Sequence, residues 1–178
     1  KIINNVTVTE LNDNAINTNL GEFKFKKVIV CTNGFAKQLL PAKNIEPARA
    51  QVLITKPIND LKIKGTFHYD KGYYYFRNVG DRVLFGGGRN LDFKGETTSE
   101  LELTNLIQYK LEELLKTVLL PETNFEIDMR WAGVMGVGKS KEVILEQTDT
   151  NQICAVRLGG MGIAIGSLIG KKAAELAL

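Results

Sequence analysis

Four consecutive apolar residues, Val28-Ile29-Val30-Cys31, restrict this chain more than any other feature. A strand with apolar side chains on both faces must be covered on both, as in the sheet of an α/β layer, whereas a half-exposed strand would alternate. Asn33-Gly34 breaks that strand, and Phe35 to Leu40 reads as a short helix stopped by Pro41. Such a strand-to-helix turn leaves free backbone N–H groups at the strand's C-terminal edge, where open α/β sheets bind ligands.

The rest of the chain changes period twice. Before the apolar run, 1 to 11, 15 to 20 and 23 to 32 read as strands, with Asn19-Leu-Gly-Glu22 as a hairpin turn. From Pro47 to Gly88, short strands at 48 to 55, 66 to 69, 73 to 79 and 83 to 85 predict an antiparallel meander. A helical stripe follows over 98 to 119, with Leu103, Ile107, Leu111, Leu114, Leu115 and Val118 on one face. Ser99 and Glu102 are spaced as a capping box, and Pro121 ends the helix. That stripe has to be buried, and the meander is the partner at hand, so 47 to 129 is expected to form an inserted α+β lobe between 1 to 46 and 130 to 178. Strands near 125 to 134, 142 to 147 and 153 to 158 and a helix from Ile163 complete the chain.

Composition removes several classes of function. The 23 basic and 20 acidic residues are interspersed and leave a net charge of +3, too weak a field to hold nucleic acid or an anionic membrane. Cys31 and Cys154 lie far apart without CxxC spacing, and the lone His68 has no second histidine to join it, so neither zinc nor a disulfide framework is expected. No stretch approaches the roughly 18 apolar residues of a membrane span, and no signal peptide is visible. The expected compartment is the cytoplasm. Lys1 stands where a methionine would be and runs straight into a strand-like pattern, which suggests a piece of something longer.

The chemistry concentrates at Arg157-Leu-Gly-Gly-Met-Gly-Ile-Ala-Ile-Gly166, a strand, a glycine turn and a helix rich in small residues. Glycines let a ligand approach the backbone, and the helix N-terminus offers unpaired N–H donors with about half a positive charge, suited to an electron-rich ring edge. Gly162 is expected there with a positive φ. The spacing is neither GxGxxG nor a P-loop. A tight turn that lets helix and sheet pack closely would use the same residues.

Together with Lys27-Val-Ile-Val-Cys-Thr-Asn-Gly-Phe-Ala36, these residues belong to an ordered set: Glu46-Pro-Ala-Arg-Ala-Gln-Val-Leu-Ile-Thr55, Gly72-Tyr-Tyr-Tyr-Phe-Arg77, Arg82-Val-Leu-Phe-Gly-Gly-Gly-Arg-Asn90, Arg130-Trp-Ala-Gly-Val-Met135 and the closing Gly159 to Gly166. The set, covering nearly the whole chain, resembles the D-amino acid oxidase and glycine oxidase family. The resemblance implies part of an FAD-binding Rossmann-like domain with an inserted antiparallel-sheet substrate lobe, a mixed α+β and α/β fold. It implies FAD as cofactor, held by Thr32, Asn33 and Gly34 and by Gly159, Gly160, Met161 and Gly162. The family's GxGxxG turn and ribose-binding acid have no counterpart here, so the chain alone is expected to purify without tightly bound flavin and to self-associate through uncovered apolar surface.

In glycine oxidases the residue after Trp-Ala-Gly-Leu is an arginine that pairs with the substrate carboxylate. Here Trp131-Ala-Gly-Val leads to Met135, which cannot make that bidentate pair. Met135 therefore marks the substrate position: either another arginine takes the carboxylate, with Arg77, Arg89 and Arg157 as candidates and Arg89 first because it follows Gly86-Gly87-Gly88, or the substrate is not a simple amino acid. In the run Tyr73-Tyr74-Tyr75-Phe76, two rings are expected in the core and Tyr75 in a pocket. Trp131 is expected as a core anchor, and Cys31 as a buried filler. The reading is oxidation of an amine or amino acid C–N bond by hydride transfer to flavin, with a small-molecule substrate. The alternatives are a non-catalytic ligand- or partner-binding module and the flavin domain of an RNA-modifying enzyme.

Overall fold

A left-handed glycine, Gly21 (φ +106°), closes the second hairpin of the computed structural model, which describes residues 1–178. Strands β1 (Val8–Leu11), β2 (Ala15–Thr18) and β3 (Gly21–Lys24) form an antiparallel sheet in that order. The run from 23 to 32 is two strands instead of one. The Phe25 amide donates to the Asn14 carbonyl at 3.0 Å and ends the hairpin; after Lys26 and Lys27 the chain enters a different sheet as β4 (Val28–Val30).

A 3-10 turn, Asn33–Gln38, follows β4, and then come β5 (Glu46–Thr55), β6 (Thr66–Tyr69), β7 (Tyr74–Val79), β8 (Arg82–Gly87), helix α1 (Asn105–Leu114), β9 (Ile127–Val137), β10 (Ile144–Asp149), β11 (Gln152–Val156) and helix α2 (Gly162–Ala177). The chain divides into two compact units, Lys1–Pro47 with Met135–Leu178, and Ala48–Val134.

In the first unit β4 runs parallel to β11, and β10 lies antiparallel on the other side of β11. Alternation along β11 loads both faces. Ile153 and Ala155 pack with Ile29, Ile169 and Ala173 on the α2 side, while Cys154 and Val156 pack with Val30, Ala36, Leu40 and Ile45 on the other. The double coverage expected of Val28 to Val30 is met here, with Ile29 in one cluster and Val30 in the other. Cys31 is exposed, because it lies past the last paired residue of β4, where the chain turns away.

In the second unit the strand order is β6-β7-β8-β5-β9. The meander holds for β6 to β8, but β5 pairs with β8 instead of β6, the 56 to 65 connection carrying the chain past two strands. One face packs Leu53, Tyr74, Val83 and Phe85 against Ile107, Leu111, Leu114 and Leu115. Tyr74 and Phe76 supply the two core rings. Trp131 is 41% exposed instead of anchoring the core. Its neighbour Arg130 takes the helix side, donating to Gln108 Oε1 (2.8 Å) and Glu112 Oε1 (2.7 Å), so strand alternation turns Trp131 away.

The helix starts at Asn105, not 98, and its last turn, Leu115–Leu119, widens to π geometry, with the Leu120 amide on the Leu115 carbonyl at 2.8 Å. The Ser99/Glu102 capping box does not form a helix start. Gln51 on β5 holds Thr104 instead, accepting its amide N–H (3.0 Å) and donating to its hydroxyl (2.8 Å). Side-chain capture by a neighbouring strand thus overrides the local cap signal.

Gln51 belongs to a buried polar chain that sequence periodicity does not announce. Glu96, with its side chain 2% exposed, accepts from Arg49 Nε (2.9 Å) and Nη2 (2.8 Å) and from Gln51 Nε2 (2.9 Å). Gln51 Oε1 in turn accepts from Gln108 (3.2 Å), which accepts from Arg130. The hydrogen bonds that Arg49 donates to Glu96 push its guanidinium pKa further up. Removing one partner of such a pair strands a buried charge, so Glu96→Ala is expected to destabilise the second unit by about 3–5 kcal/mol. Replacing both, Arg49→Met with Glu96→Leu, should recover most of that loss. Trp131, the single tryptophan, lies in this unit, and its fluorescence in a denaturant titration reads both variants.

Candidate functional site

The C-terminal ends of the parallel pair β4 and β11 set the site. Just beyond β4, Asn33 adopts φ +44°, a left-handed conformation that asparagine tolerates better than most residues, and its Oδ1 accepts the Leu158 amide N–H at 3.1 Å. Beyond β11, the Gly159 amide donates to the Gly136 carbonyl at 3.0 Å. Gly136 is buried between them: a Cβ there would sit 2.7 Å from Asn33 Oδ1, so only glycine permits this approach. Three distant segments, 32 to 34, 135 to 136 and 158 to 162, therefore meet in one place within the first unit.

The loop before α2 is a tight turn. Gly159 and Gly160 have φ of +56° and +83°, and the Met161 amide donates to the Leu158 carbonyl at 2.8 Å. Gly162, expected with a positive φ, is instead the first helical residue, and a Cβ on it would meet Leu158 at an ordinary 3.4 Å. The turn consumes its left-handed positions two residues earlier because the helix has already begun. Met161 caps α2 without a side-chain hydrogen bond, and the amides of Gly160, Gly162 and Ile163 donate to no acceptor in the chain. Those free donors, with the dipole of a 16-residue helix behind them, favour an electron-rich or anionic group.

Of the cofactor-side residues, Asn33, Gly159 and Gly160 are brought together by these bonds. Gly34 is buried in the 3-10 turn, and Thr32, exposed, begins it, its carbonyl accepting the Phe35 amide at 2.9 Å. Met135 joins the group: its Sδ lies 3.3 Å from where a Gly160 Cβ would stand. Gly136 and Leu158 are the members that sequence reasoning did not single out. A glycine inside a strand pattern, as at 136, is the signal of a close backbone approach.

Tyr75 and Arg89 lie in the second unit. Tyr75 is half-buried on the sheet face opposite Tyr74, its ring over Gly86, where a Cβ would come within 2.8 Å of the phenol oxygen. Burial pushes its phenol pKa up. Arg89 is half-buried in a short 3-10 turn, Arg89–Leu91, its guanidinium 5.1 Å from the centre of the Phe93 ring. Arg77 is exposed. Arg157 is no substrate residue in this geometry: its guanidinium donates to the carbonyls of Glu142 (2.8 Å) and Asn44 (3.0 Å) and to Ser140 Oγ (3.2 Å), which leaves it bracing its own left-handed backbone at φ +62°.

The chain shares its fold with part of several solved oxidoreductases. The structure of L-proline dehydrogenase from P. horikoshii superposes with a TM-score of 0.76 at 22% identity over 96% of this chain and 49% of that one. Glycine oxidase from Geobacillus kaustophilus gives 0.79 at 16% identity, over 97% and 48%. Iminodiacetate oxidase from Chelativorans sp. BNC1 gives 0.70 at 16%, over 95% and 47%. The chain thus spans about half the length of these relatives. No curated protein matches it by sequence. The family model of FAD dependent oxidoreductases (DAO) matches residues 1–176, and the chain belongs to that family. The residues present fit the family's cofactor, since the glycine backbone of the Gly159–Gly160 turn and the α2 N-terminus offer N–H donors without an acceptor in the chain. No helix is long and apolar enough to cross a membrane.

The two glycine classes are separable by mutation. Gly160→Val places a branched side chain at a left-handed position against Met135 and is expected to cost about 1–2 kcal/mol of stability. Gly162→Ala, at a helical φ with room for its methyl, should change stability by less than about 1 kcal/mol. Thermal unfolding of the two variants distinguishes them. For Tyr75, a folded pKa above the unfolded one means stability is full below the ordinary phenol pKa and falls as pH rises through the raised value. Tyr75→Phe should remove that part of the alkaline loss in unfolding titrations.

Proposed function

We propose that this chain is the flavin-edge and substrate-lobe part of an FAD-dependent oxidoreductase that oxidises a C–N bond of an amine or amino acid. The observation that supports it most is the meeting of Asn33, Met135, Gly136 and the Gly159–Gly160 turn at the C-terminal edge of a parallel strand pair, ahead of a helix with free N–H donors. Family membership supplies the cofactor for that edge.

In this reading Thr32, Asn33 and Gly34 line one side of the flavin site, and Gly159, Gly160, Met161 and Gly162 the other. FAD, when bound, supplies the two-electron sink for a hydride leaving the substrate carbon. As that C–H bond breaks, the nitrogen lone pair closes a C=N bond and the N–H proton passes to solvent, so no strong side-chain base is needed if the amine enters deprotonated. The free amides at the start of α2 would stabilise negative charge on a flavin held there, and so would favour its reduced state over the oxidised one. Met135 gives the substrate side an apolar surface beside the Gly160 backbone.

The test uses the protein expressed from its gene. It should purify yellow, and amines or amino acids added without oxygen should bleach the flavin band. Gly160→Val should weaken flavin retention about tenfold and lower the flavin midpoint potential while leaving the second unit folded. A flavin that no amine or amino acid reduces, or retention and potential unchanged by Gly160→Val, would overturn the assignment.

A further inference from the structure

Asn33 sits where glycine would fit its own backbone better. Its φ of +44° is left-handed, and strain of that kind persists only where the surroundings over-determine it. Its side chain also needs room made for it by another segment. A Cβ on Gly136 would stand 2.7 Å from Asn33 Oδ1 and 3.1 Å from the carbonyl carbon and oxygen of the same residue. Two positions far apart in sequence are therefore both fitted to one hydrogen bond, the one that Asn33 Oδ1 accepts from the Leu158 amide at 3.1 Å.

That bond falls at the root of the glycine turn. Leu158 is gripped at both ends, its amide by Asn33 and its carbonyl by the Met161 amide at 2.8 Å. The Gly159 amide is tied to the Gly136 carbonyl at 3.0 Å. Leu158, Gly159 and Met161 thus use their N–H groups to fix the turn, and Gly160, Gly162 and Ile163 keep theirs free. Between the two sets lies the pair Gly159–Gly160, the most freely rotating joint a chain can have, and a Cβ on Gly159 would meet nothing within 4 Å. The joint cannot hold its own direction, so the free amides point where the anchored residues before them dictate. Donors held in advance in one direction act on developing charge far better than donors that must reorient.

We propose that Asn33 is a positioning residue for the free amides of this edge: through the Leu158 amide, its side chain fixes the direction in which Gly160, Gly162 and Ile163 present their N–H groups, and so sets how strongly a reduced flavin is favoured. The identity of the group those amides face rests on the oxidoreductase reading. The part played by Asn33 runs through Leu158 and not through its own carbonyl oxygen touching the cofactor, because that oxygen is already committed to the Leu158 amide.

Asn33→Gly, Asn33→Asp and Gly136→Ala test this on the FAD-loaded protein expressed from its gene, with amide hydrogen exchange, flavin midpoint potential and thermal unfolding as readouts. Asn33→Gly removes the bond and the strain together, so its melting temperature should stay close to that of the parent. Its Leu158 amide should nevertheless exchange about tenfold faster, and the preference for reduced flavin should fall about tenfold, which for a two-electron couple lowers the potential by roughly 30 mV. Asn33→Asp keeps an acceptor in place and should leave Leu158 as protected as in the parent. Gly136→Ala displaces the Asn33 side chain without removing it and should reproduce both changes, while adding it to Asn33→Gly should bring less than about a further twofold in either. Leu158 exchange as slow in Asn33→Gly as in the parent overturns the proposal. So does faster exchange with the potential unmoved, which leaves Asn33 a structural residue only. A potential that follows Asn33 in a protein whose flavin no amine or amino acid reduces keeps the positioning role and removes the amine-oxidising reaction. Bleaching by amines or amino acids with a potential indifferent to Asn33 does the reverse.

Discussion

The pairing of β4 with β11 is the constraint on which the first unit depends. Val28, Ile29 and Val30 align with Gln152, Ile153 and Cys154 in a parallel ladder between segments at opposite ends of the sequence. A parallel pair cannot be closed by a tight turn, so everything between has to leave the sheet and return. The return places two C-terminal strand ends side by side, and each is followed by a reversal that frees backbone amides. The site is a consequence of this pairing. Without it Asn33 has no Leu158 to hold, and Gly136 has no reason to be glycine.

The second unit solves a different problem. Its sheet buries one apolar face under α1, and that packing supplies most of its stability, yet apolar packing alone would let the helix slide along the sheet. The polar chain from Arg49 through Glu96, Gln51 and Gln108 to Arg130 ties β5, the segment before α1, the helix itself and β9 at defined points. Each of these bonds is directional, so together they fix the register of α1. The same chain commits the buried carboxylate of Glu96 to Arg49 and Gln51.

Periodicity and turn chemistry made much of this fold legible in the sequence. The β6 to β8 strands, the apolar β4 run, the glycine loop and the final helix all carry local signals, and the ordered motifs pointed to the family. What could not be read are features decided by distant partners. The start of α1 depends on Gln51 capturing Thr104, which no local pattern encodes, and the break between β3 and β4 depends on which sheet each half joins. Trp131 looks like a core residue by type, but Arg130 occupies the helix side of β9. Within the site, glycine content was visible, but the left-handed positions were assigned to Gly162 when they fall on Gly159 and Gly160. Sequence shows that a glycine turn exists; the hydrogen bonds on either side decide which glycine takes which φ.

Two residues that are not glycine also take left-handed backbone at this edge, Asn33 after β4 and Arg157 after β11. Such conformations cost of order 1–3 kcal/mol each and persist where the surroundings over-determine them. Asn33 is held by the bond from its own side chain to the Leu158 amide, so its strain and its role as a link between the two strand ends are the same fact. Arg157 is held by three hydrogen bonds from its guanidinium to Asn44, Ser140 and Glu142, and the aliphatic part of that side chain also occupies the space beside Gly138. A glycine at either position would relieve the backbone strain and release the chain it anchors. Rigidity at the ends of β4 and β11 is therefore maintained at the expense of local conformational energy, a cost the fold repays by presenting the amides of the following loop in one fixed direction.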